Sequence, residues 1–112
     1  MKLVVYVMNN TKLLDEFLHQ LKTKNIKGAT ILNSTGMARK LIENDDMDFI
    51  GSLKVLFDNP RVESYVILMA LEDNQVSIAL DVIHNVAGDL SKPNTGIVFT
   101  LPIDYIDGFI KK

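Results

Sequence analysis

Tyr65-Val66-Ile67-Leu68-Met69-Ala70-Leu71 runs directly into Glu72-Asp73-Asn74-Gln75, and Val76, Ala79, Leu80, Ile83 and Val86 follow. An apolar, β-branched run that stops at polar residues reads as a buried strand. The spacing after it reads as an amphipathic helix, capped by Asp73 or Asn74 and stopped by Gly88. Asp89 to Thr95 is a polar loop holding Lys92-Pro93-Asn94. Gly96-Ile97-Val98-Phe99-Thr100-Leu101 reads as another strand, and Pro102 ends it. Ile103 to Ile110 is a short apolar tail. The second half of the chain is therefore strand, helix, strand.

The first half repeats that order. Lys2 to Met8 reads as a buried strand, ending at Asn9-Asn10. Asn10 or Thr11 caps a helix whose apolar face is Leu13, Leu14, Phe17, Leu18 and Leu21. Asn25 suits the left-handed position past the helix end, and Ile26 folds back onto the last turn. Gly28 to Ser34 reads as the second strand, closed by Thr35-Gly36.

Met37 to Ser64 separates the halves. It opens with Arg39-Lys40 and passes the acids Asp45, Asp46 and Asp48. Phe49, Ile50, Leu53, Leu56 and Phe57 then recur at helical spacing until Asn59-Pro60. The acids stand where the helix dipole favours them. The expected fold is α+β: a ferredoxin-like βαββαβ sandwich with a helical insertion at about 37–64 between strands 2 and 3. Two helices cover one face of such a sheet. The strands are apolar at nearly every position, so the other face needs a cover, and self-association supplies one.

Composition agrees and excludes several classes. A chain of 112 residues suits a single domain, with roughly two-thirds of its unfolded surface buried. Twelve Lys and Arg against 14 Asp and Glu give no basic excess for nucleic-acid phosphates or an anionic membrane. The absence of cysteine removes disulfides, thiolate metal sites and a Cys nucleophile, and suits a cytoplasmic protein. The apolar start is too short for a signal peptide or a membrane span.

The residues hold little enzyme chemistry. His19 and His84 fall on polar helix faces with carboxylate neighbours and read as surface histidines. The Asp45–Asp48 acids lack the alternating ligands, central Gly and final Glu of a calcium loop. No nucleophile elbow or phosphate loop is present. Two loops remain. Thr35-Gly36-Met37-Ala38-Arg39-Lys40 leaves a strand with backbone N–H groups and two cations. Gly88-Asp89-Leu90-Ser91-Lys92-Pro93-Asn94-Thr95-Gly96 links the helix to the last strand, with a glycine at each end. Glycines admit close approach of a phosphate, and Arg or Lys supplies charge. Each loop also reads as a plain turn.

Asn25-Ile26-Lys27-Gly28-Ala29-Thr30 into Ser34-Thr35-Gly36, Ile83 to Gly88, and Gly96-Ile97-Val98-Phe99-Thr100-Leu101-Pro102-Ile103-Asp104 resemble the PII signal-transduction superfamily, in an uncharacterised PII-like bacterial branch. The resemblance covers most of the chain except roughly 38–63. It implies a homotrimer with its sheets lining the centre; the lack of a convincing acid/base set separately argues that the chain is not an enzyme. It also implies small ligands, commonly adenine nucleotides such as ATP or ADP, in clefts between subunits. The cleft walls would be Thr35, Gly36, Met37, Arg39 and Lys40 on one side and Gly88, Asp89 and Lys92 on the other. Arg39, Lys40 and Lys92 would face phosphate, Gly36 and Gly88 would give backbone donors, and Asp89 would accept from a ribose or base amine. The Phe99-Thr100-Leu101-Pro102-Ile103-Asp104 run is also similar to the cyclic-di-AMP receptor branch. The insertion would dock on a transporter or enzyme through Phe49, Ile50, Leu53, Leu56 and Phe57. Gly51 weakens that helix by about 1 kcal/mol relative to Ala, which eases rearrangement. Where ATP-binding members carry a Gly-rich loop before the last strand and a basic cluster after it, this chain has Lys92-Pro93 and Pro102-Ile103-Asp104-Tyr105. The alternative is a ligand-free trimer whose insertion is permanently packed.

Overall fold

The computed structural model describes residues 1–37, 40, 63–93 and 95–109. Strand β1 is Lys2–Met8, followed by a 3₁₀ turn at Thr11–Leu13 and helix α1 at Leu14–Thr23. Strand β2 is Thr30–Ser34 and strand β3 is Ser64–Leu71. Helix α2 is Asp73–Ala87 and strand β4 is Gly96–Pro102. The fold class is α+β. The four strands form one sheet in the order β2-β3-β1-β4, and every neighbouring pair is antiparallel.

Local chemistry sets the element ends. The Asn10 side chain accepts from the Lys12 N–H at 3.2 Å, which starts the 3₁₀ turn ahead of α1. At the other end Asn25 adopts φ 63°. Its N–H donates to Lys22 O at 3.0 Å, while the Ile26 N–H donates to Leu21 O at 2.9 Å. This pair of bonds is the Schellman closure, and it buries Ile26 over the last turn. The turn takes up the residues before Thr30, so β2 starts two positions later than the apolar pattern suggests.

The cap of α2 differs from the expected Asp73 or Asn74. Glu72 holds that position in a capping box: its carboxylate accepts from the Gln75 backbone, and the Gln75 side chain accepts from the Glu72 N–H at 3.3 Å. Two otherwise orphaned donors are satisfied reciprocally. Asp73 becomes the first helical residue, and its carboxylate lies 3.1 Å from the Met1 ammonium group.

The core lies between the sheet and the helices. Val4, Tyr6 and Met8 of β1 and Ile67, Met69 and Leu71 of β3 point into it. They meet Phe17 and Leu21 of α1 and Ala79, Val82 and Ile83 of α2. Tyr6 packs edge-on against Phe17, with centroids 5.4 Å apart and ring planes at 65°. The Tyr6 hydroxyl is buried and has no hydrogen-bond partner among the described residues. That burial raises its pKa above the ordinary phenol value, because the charged form is desolvated. Gly96 pairs with Met8 at φ 120°; a side chain there would strike the Val7 carbonyl oxygen.

Among the described residues no helix lies on the opposite sheet face, which is apolar. Its cross-strand rows are Leu101–Leu3–Ala70, Phe99–Val5–Leu68 and Ile97–Val7–Val66–Leu32. The central position of β1 screens Val5, which is 8% exposed, and leaves Leu3 and Val7 half-buried. The outer strands lack that screening: Ile97 is 57% exposed, Phe99 44%, Leu101 46% and Leu32 47%. The apolar strands predicted burial on both faces, whereas the described helices cover only one.

Candidate functional site

The strand directions bring the two candidate loops to one end of the sheet. Ser34 at the end of β2 pairs with Ser64 at the start of β3, and Met8 at the end of β1 pairs with Gly96 at the start of β4. The Ser34 and Ser64 hydroxyls lie 2.6 Å apart, and Ser34 Oγ also donates to Ser64 O at 3.1 Å. This last rung closes the neck of the 35–63 connection.

Thr35, Gly36 and Met37 leave the neck exposed, Met37 being 75% accessible. The Lys40 N–H donates to Gly36 O at 3.2 Å, so a helical turn begins at Gly36. Lys40 is exposed. Arg39 and the stripe Phe49, Ile50, Leu53, Leu56 and Phe57 lie outside the described residues, as does Asn94.

The second loop starts where Gly88 ends α2, its N–H bonded to His84 O at 2.9 Å. The loop is folded on itself. Asp89 Oδ1 accepts from the Ser91 N–H at 2.9 Å and from Ser91 Oγ at 2.8 Å. Thr95 Oγ1 donates to Lys92 O at 2.8 Å and lies 3.1 Å from Leu90 O. The Ser91 bonds hold the Asp89 carboxyl below its ordinary pKa, and His84 adds a smaller effect in the same direction. Asp89 therefore shapes the loop through Oδ1. Lys92 is exposed, as are His19 and His84.

The two loops share an end but not an edge. β2 and β4 are the outer strands, so Ser34 and Gly96 stand three strand spacings apart, about 14 Å. Sequence reasoning could not see this, because strand order is a tertiary property. Among the described residues no three His, Asp or Glu side chains gather as a metal site, and no helix is long and apolar enough to cross a membrane.

The far end of the sheet holds a feature that the sequence did not signal. The tail leaves β4 and donates from the Ile103 N–H to Met1 O at 3.2 Å. Gly108, at φ 86°, turns the chain where Phe109 approaches the α1–β2 turn. A crevice of 560 Å³ opens between that turn, the start of α2 and the tail.

Compared with known proteins, the chain matches no family model and no curated sequence.

Proposed function

We propose that this chain is a single PII-like regulatory domain of the cytoplasm that assembles as a homotrimer and senses a small metabolite, with an adenine nucleotide as the leading class. The observation that carries the reading is the apolar sheet face that no described helix covers. Exposed rows of Ile97, Phe99, Leu101 and Leu32 form a contiguous patch of the kind that marks an association surface. The order β2-β3-β1-β4 with two helices on one face supports the ferredoxin-like arrangement.

Loop placement supports a cleft between subunits. Thr35 to Lys40 follows one edge strand and Gly88 to Lys92 precedes the other, at the same end. Setting β2 of one copy beside β4 of the next, with these ends aligned, makes the contact antiparallel like every other pair in the sheet. It also brings the two loops together across the boundary. Arg39, Lys40 and Lys92 then supply positive charge for phosphate, Gly36 and Gly88 supply backbone donors, and Asp89 accepts from a base or ribose. The ligand acts on the 37–64 insertion only through unequal affinity for its two arrangements. The insertion in turn regulates a transporter or enzyme.

One observation favours a ligand-free structural trimer: Asp89 and Thr95 already have partners inside their own loop. A thermal-shift titration with ATP, ADP, AMP and cyclic-di-AMP separates the two readings. Ligand that binds the folded state raises the melting temperature by mass action. The sensor reading expects a saturable rise that disappears when Arg39 and Lys92 are both changed to Ala. A rise unaffected by those changes, or no rise with any of the four, removes the nucleotide reading.

A further inference from the structure

We draw no further inference here: the strongest candidate, the apolar surface patch along the outer strands β2 and β4, belongs to the assembly surface already proposed, and nothing in the structure shows what covers it.

Discussion

Replacing Phe99 by Glu is expected to separate the copies while leaving each chain folded. Phe99 sits on the outer strand β4 in the row with Val5 and Leu68, and 44% of it is open in the single chain. Full burial of a Phe side chain contributes about 1.5–3 kcal/mol. The open part, which a neighbouring copy would bury, is therefore worth about 1 kcal/mol. A glutamate there forfeits that gain and presses a carboxylate into an apolar contact, at about 3 kcal/mol or more after relaxation. The sum of about 4 kcal/mol corresponds to roughly a thousandfold weaker association per copy. Sedimentation velocity reads the assembly, and far-UV circular dichroism reads the fold. The reasoning predicts an assembled natural protein and a monomeric variant with unchanged circular dichroism. Ile97→Ser is the milder companion: it removes a side chain 57% exposed in the single chain and introduces no charge. It is expected to weaken assembly by a smaller factor. A Phe99→Glu variant that sediments with the natural protein, or a natural protein that is monomeric at high concentration, refutes the argument.

Tyr6→Phe is expected to stabilise the chain by about 1 kcal/mol, because it deletes a buried hydroxyl without a partner among the described residues. That corresponds to a rise of about 4 °C in melting temperature for a domain of this size, read by thermal denaturation; a fall of similar size contradicts it. The same substitution tests the pH response. The folded pKa of Tyr6 is raised, so the folded state holds the proton more tightly than the unfolded one. Its contribution is complete below the unfolded value near 10 and is lost as pH rises through the higher folded value, and the variant lacks this alkaline component. Gly96→Ala is expected to destabilise by at least about 1–3 kcal/mol, since φ is 120° and the new methyl meets the Val7 carbonyl oxygen. Denaturant unfolding checks it, and a change below measurement error rejects the clash.

Much of the fold was legible because burial periodicity and backbone chemistry agreed. Phe17 and Leu21 sit at the centre of the stripe that marks α1, and Asn25 takes the left-handed turn for which its short amide is suited. Val82 escaped the expected α2 stripe, yet it is buried between Ala79 and Ile83. The cap was misjudged because Asp73 and Asn74 outrank Glu as single capping residues, whereas the capping box depends on the reciprocal partner Gln75. Local pattern also gave Thr35 to Lys40 and Gly88 to Lys92 as loops, but it carried no information on their separation. That follows from β2 and β4 occupying opposite edges. The crevice was invisible for the same reason: Lys27, Glu72 and Phe109 are distant in sequence and meet only where the tail crosses the strand ends.

The hydroxyl rung between Ser34 and Ser64 has a consequence for how this chain tolerates change. The rung holds the ends of the 35–63 connection at the spacing of neighbouring strands. Closing a flexible connection across such fixed ends costs only about 0.6 kcal/mol more for each doubling of its length. The segment is therefore a cassette. It can lengthen, shorten or be exchanged for a compact hairpin turn while the register of β2 against β3 stays the same. The sequence of the segment can then change at little expense to the scaffold.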